Sequence, residues 1–228
     1  MFHANKVNLS DFNFWRPLLD HINNPCITEF IIEQAVLSRI SFHGLNIAGK
    51  GIDTPMSVVS FSDSFPNFRT DIIRQPVLYC PQEFNYPGID AIIVWIGPKP
   101  ITKSTRPKLF MYPLQITLTP DRHSVCSGSH RTFFNNYKSW TEHLEEKFDV
   151  VPTFLWISPK VASPNQHNPT NEDNWPAHYV PISQAHSEIW EYYVRLKRKQ
   201  QTQGAPETPA GGDERREMEK QGIWSMIL

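Results

Sequence analysis

The chain has 228 residues, is 39% hydrophobic and 12% aromatic, and carries a formal net charge of −1. That length and composition suffice for one substantial core, and the near-neutral balance excludes a protein that coats nucleic acid by bulk electrostatics. Three widely spaced cysteines, Cys26, Cys80 and Cys126, exclude a disulfide framework or a CxxC zinc site and fit a reducing compartment.

In chain order, the first 25 residues read as an irregular lead-in containing Trp15 and Pro17. Their opening, "MFHANKVNLSDFNFW", has no apolar signal region. No run in the chain reaches the ~20 apolar residues that cross a bilayer. The expectation is a soluble intracellular protein of the nucleus or cytoplasm. "ITEFIIEQAVLSRI" then has helical periodicity, with Asn24 or Thr28 as its cap. Glu33 lies beside its apolar stripe rather than opposite it.

Residues 44 to 70, rich in Gly, Pro, Ser and Asp, read as loop around a short strand "SVVSF". Strands are expected at "PVLYC" (76–80), "IDAIIVWI" (89–96) and "KLFMYPLQITLT" (108–119). Pro113 predicts an edge position or a bulge for the last of these. A helix follows over 130–148, with Phe133, Phe134, Tyr137, Trp140 and Leu144 at helical intervals. "VVPTFLWISP" (150–159) reads as a central strand and residues 183–201 as a final helix. Residues 202–217 have the composition of a disordered linker, and an apolar "IWSMIL" ends the chain. This order of elements predicts an α/β layer structure over residues 1–200, followed by a flexible tail over 201–228.

Two polar residues stand out against these apolar strands. Asp90 heads the run "AIIVWI", and Gln115 interrupts "PLQITL". Burying either group costs several kcal/mol unless a partner or a metal satisfies it. Residues 115 and 117 share a strand face, because side chains alternate with a period of two.

The pieces "IIEQAVLSRI", "PGIDAIIVW", "LQITLTPDRH", "FFNNYKSWTEHL" and "VVPTFLWI" together resemble the restriction-endonuclease-like core, the PD-(D/E)XK fold. The resemblance is nearest to the nuclease-like domains of Crinkler effectors and retrotransposon hot spot proteins. It covers roughly residues 27 to 160 and rests on the order and spacing of short motifs. It implies a central mixed sheet flanked by helices and a metal-dependent nuclease that takes Mg²⁺ and acts on DNA. Carried over by position, Glu33 matches the helix acid, Asp90 the metal-binding aspartate and Gln115 the second strand position. Thr117 stands where active members carry lysine. On that pattern Glu33, Asp90 and Gln115 are the metal ligands, and Thr117, His123 or Lys138 handles the attacking water. Lys108 is a further source of positive charge.

Gln115 in place of a carboxylate and Thr117 in place of lysine both weaken cleavage, so a catalytically inactive module that binds nucleic acid or protein is the alternative. Taken singly, each residue also has a plainer role. "PGID" suits a strand-opening turn, Gln115 and Thr117 suit the open face of an edge strand, and Glu33 suits a solvated helix position.

Overall fold

A computed structural model describes residues 12–203, apart from 23, 48–49, 53–54, 63–65, 84–85, 99–105, 119–122 and 160–175. The linker and "IWSMIL" expected after the last helix lie outside the described residues. The chain divides into two units, Met1–Tyr192 and Tyr193–Leu228.

The first unit opens with α1 (Phe12–His21) and α2 (Pro25–His43). A two-stranded antiparallel ribbon follows, β1 (Asn46–Ile47) and β2 (Lys50–Gly51). Then come β3 (Ser57–Phe61), β4 (Val77–Pro81), β5 (Ala91–Ile96), β6 (Lys108–Ile116) and α3 (His123–Glu145). The order continues with β7 (Asp149–Pro152), β8 (Phe154–Ser158), β9 (Ala177–Pro181), α4 (Ile182–Ala185) and α5 (Ser187–Gln203). The residues of α5 from Tyr193 onward belong to the second unit, where the Lys197 ammonium lies over the Tyr193 ring at 4.9 Å. Among the described residues, no helix is long and apolar enough to cross a membrane.

The main sheet is mixed, in the order β3-β4-β5-β6-β8-β9, and β7 also pairs with β6. β4–β5 and β5–β6 are antiparallel, while β3–β4, β6–β8 and β8–β9 are parallel. The expected α/β architecture, a mixed sheet with helices packed on it, is present.

Alternation along the strands divides the core. Val77, Tyr79, Ile92, Val94, Leu109, Met111, Phe154 and Trp156 pack with Phe133, Phe134, Tyr137 and Trp140 of α3. The alternate positions Leu78, Ala91, Ile93, Leu114, Leu155 and Ile157 are equally buried and stand outside that cluster. So do the buried residues of α2, among them Ile32, Ala35, Val36 and Ile40. α4 reaches α2, β8 and β9. Hence α3 closes one face of the sheet, and α2 with α4 closes the other.

Several expectations need correction. The lead-in contains α1, which buries Trp15 and Leu19 four residues apart despite Pro17. One apolar contact row outweighs the single backbone hydrogen bond that a proline removes. α3 begins at His123 rather than at residue 130. The strand expected at 150–159 is two strands, β7 and β8, broken at Thr153. β1, β2 and β9 were not expected at all.

Pro113 marks neither the expected edge nor a bulge, since the β5–β6 register runs unbroken through the Ile92–Pro113 pair. β6 is an inner strand, paired with β5 on one side and with β7 then β8 on the other. Pairing with β7 ends at Met111 and pairing with β8 begins at Leu114. The missing proline N–H therefore falls where partners change.

Candidate functional site

Asn24 sets the entry of α2: its side-chain oxygen accepts the Cys26 N–H at 3.0 Å, and Pro25 occupies the first helical position. Of the two caps that the sequence offers, Asn24 serves, and Thr28 instead donates its hydroxyl to the Asn24 carbonyl. Glu33 sits one position past the fully buried Ile32 and is itself only partly buried.

Asp90 follows the turn "YPG", in which Gly88 takes φ 87°, a conformation that glycine adopts without penalty. That turn delivers Asp90 to the mouth of the β5–β6 ladder. Its N–H donates to the Leu114 carbonyl at 2.8 Å, and its carboxylate accepts the Ile116 N–H at 2.6 Å. The strand-opening role is therefore real. It consumes one carboxylate oxygen.

The two carboxyls sense each other. Burial pushes the Glu33 carboxyl up to about 8, and the neighbouring Asp90 and then Glu29 add to the rise. Burial likewise raises Asp90, to about 7, against the opposing pull of the Ile116 N–H. Neither acid forms an ion pair among the described residues. Both residues are only partly buried. Cys80 of β4 completes the neighbourhood: burial, and secondly Asp90, push its thiol up to about 12. Nothing in the spacing of Cys80 signalled this. The β4–β5 register carries it there, since Tyr79 pairs with Ile92.

Gln115 stands on the strand next to Asp90. Ala91 pairs with Leu114, so Asp90 and Gln115 flank the same end of that ladder. On its other side Gln115 pairs with Trp156. Strand alternation sends its side chain to the face of Met111 and Trp156, the face that α3 covers. Its side-chain oxygen is buried and without a hydrogen-bond partner. Thr117 continues the same row, partly buried, and its N–H donates to the Ile157 carbonyl at 2.9 Å.

The structure thus brings Glu33 and Asp90 together from α2 and the head of β5. Gln115 and Thr117 rise from β6 toward the opposite face. Among the described residues, no group of three or more His, Cys, Asp or Glu is placed to hold a metal ion.

The remaining candidates scatter. His123 opens α3, and its side chain lies outside the described residues. Lys138 is exposed on α3, across the sheet from α2. Lys108 is exposed at the opposite end of β6 from Gln115, about 23 Å away at the rise of a strand.

Chemically, two neighbouring carboxyls with no ion-pair partner among the described residues can hold one proton or one divalent cation between them. No family model, no curated protein and no solved structure matches the chain.

Proposed function

We propose that the chain is a nuclease-like domain of the restriction-endonuclease-like type, acting on DNA, in which Glu33 and Asp90 hold a Mg²⁺ ion. The observation that carries this reading is the apposition of those two acids with no ion-pair partner for either among the described residues. Supporting it is the order of elements around them: a helix with an acid, a strand headed by aspartate, its antiparallel neighbour with Gln115, then a helix and a parallel strand.

The donor set suits a hard cation in its two carboxylates. When bound, such an ion polarises a phosphoryl oxygen and acidifies water. Asp90 keeps one oxygen fixed by the Ile116 N–H and offers the other. Glu33, from the rigid helix, closes the pair. The resemblance implies Gln115 as a further oxygen ligand, but its buried, unsatisfied amide oxygen rises from β6 toward the α3 face, so the ion would rest on Glu33 and Asp90 alone. Thr117 can hydrogen-bond a water or a phosphate oxygen but supplies no charge.

A second reading, a non-cleaving module that binds nucleic acid or protein, is favoured by Thr117 at the lysine position. The positions of Lys108 and Lys138, described above, bring no substitute to the acids. One pair of measurements separates the two. Mg²⁺ titrated into the protein should raise its melting temperature, and Asp90→Asn and Glu33→Gln should each abolish that rise. Plasmid and single-stranded DNA should be cut in Mg²⁺ by the wild type and not by Asp90→Asn. DNA binding without cutting selects the second reading. Absence of both the Mg²⁺ response and DNA binding would falsify both.

A further inference from the structure

At the other end of the sheet from Glu33 and Asp90 lies a cavity of about 910 Å³. It opens where β5 ends and β4, β6 and β7 begin, as the pairings of Val94 with Val77, Ile96 with Leu109, and Lys108 with Asp149 require. Trp95, in its wall, is five strand residues beyond Asp90, about 17 Å along β5.

We propose that this cavity binds a small organic anion with an aromatic or otherwise apolar body. The described residues that line it include one cation, Arg74, and no carboxylate. Arg74 is exposed and forms no ion pair among the described residues. The acid following Phe148, Asp149, is already held by Arg106 at 2.9 Å. A guanidinium presents a planar fork of donors suited to a carboxylate, sulfonate or phosphate. The backbone adds little here, since the Ile96 and Gly97 N–H groups already donate to the Ile73 and Lys108 carbonyls at 2.7 and 2.8 Å. Polar recognition therefore falls to Arg74 and its neighbour Gln75.

The rest of the wall is apolar and stiff. The Trp95 indole is held between Phe110 and Tyr112, each ring centroid 5.1 Å away. Gly97 keeps the wall bare. A Cβ at that position would come 2.7 Å from the Phe110 ring and push it against this stack. Prolines and Phe148 complete the lining of a half-open cleft whose volume falls within the roughly 300–1,000 Å³ of small-molecule sites. Arg74 is the one charged side chain among the described lining residues, which suits a single small anion better than a nucleic-acid strand, which needs charge along a groove.

The test is a fluorescence titration of the full chain with anilinonaphthalene sulfonate, compared with its uncharged parent, phenylnaphthylamine. The sulfonate should saturate at one per chain and bind more tightly than the neutral dye. Arg74→Gln should weaken the sulfonate by about tenfold, the scale of one charged hydrogen bond. The same change should leave the neutral dye and the melting temperature unaltered, and Arg74→Lys should recover part of the loss. Equal binding of both dyes, or indifference to Arg74→Gln, overturns the proposal. Displacement of the dye by a short oligodeoxynucleotide but not by an aromatic carboxylate such as naphthoate also overturns it, in favour of a polyanion contact. This outcome is independent of the Mg²⁺ response of Glu33 and Asp90.

Discussion

Glu33 shows how one side chain can tie stability to pH. In the unfolded chain its carboxyl ionises in the ordinary range, near 4.5, whereas in the folded chain it holds its proton to about 8. Between these limits the folded state binds more protons than the unfolded state, so stability must fall as pH rises through the window. Below it the contribution is fully present. Burial contributes most to the shift, and Asp90 and then Glu29, one turn earlier on α2, add to it. In the absence of divalent ions the melting temperature should therefore decline from about pH 5 to pH 8, and Glu33→Gln should remove its own share of that decline, leaving the share that buried Asp90 contributes up to about pH 7. A wild-type profile already flat over that range would remove the electrostatic basis of the site. Asp90 separates charge from hydrogen bonding. Asp90→Asn keeps an oxygen for the Ile116 N–H and relieves the repulsion, whereas Asp90→Ala strands that N–H at a cost of about 1–3 kcal/mol. Without metal, Asp90→Asn should be at least as stable as the wild type in denaturant titrations, and Asp90→Ala less stable than Asp90→Asn.

Among the elements, α2 and β6 carry the site. The first is held at its start by a single side-chain cap, so Asn24→Ala should cost about 1 kcal/mol, read as a lower denaturant midpoint with unchanged slope. A change below a few tenths of a kcal/mol would mean that packing of Ile32, Val36 and Ile40 alone sets the start of the helix. β6 shows how a proline is accommodated in an inner strand. The chain places Pro113 in the one interval where neither β7 nor β8 needs its N–H. Composition revealed that β6 was a strand but misjudged its place, because a proline in isolation argues for an edge. The partner switch that rescues it depends on residues some 40 positions further along.

For the molecule as a whole, stability rests on two apolar layers separated by the sheet. Phe133 is 1% exposed, and its ring packs against those of Phe134, Tyr137, Trp140 and Phe154. Phe133→Ala should cost about 3–5 kcal/mol, by lost transfer energy plus the cavity left behind. A loss under about 1 kcal/mol in chemical unfolding would show that α3 is not what closes that face.

The sequence by itself determined the long, periodic elements. α2, β5, β6 and α3 announce themselves through apolar spacing that any fold must bury. It also marked Asp90 and Gln115 as polar groups out of place. Tertiary structure decided the rest. Two-residue β1 and β2, and five-residue β9, have too little local pattern to be read without their partners. α1 hides behind Pro17, and the Gly- and Ser-rich start of α3 resembles a loop. That Glu33 faces Asp90, that Cys80 joins them, and that Arg74 and Trp95 share a cavity follow from strand register and from which face each helix covers. Local periodicity records only whether a side chain must be buried. Neighbours across the sheet are chosen by pairings between distant segments, whose energies exist only once the chain has folded.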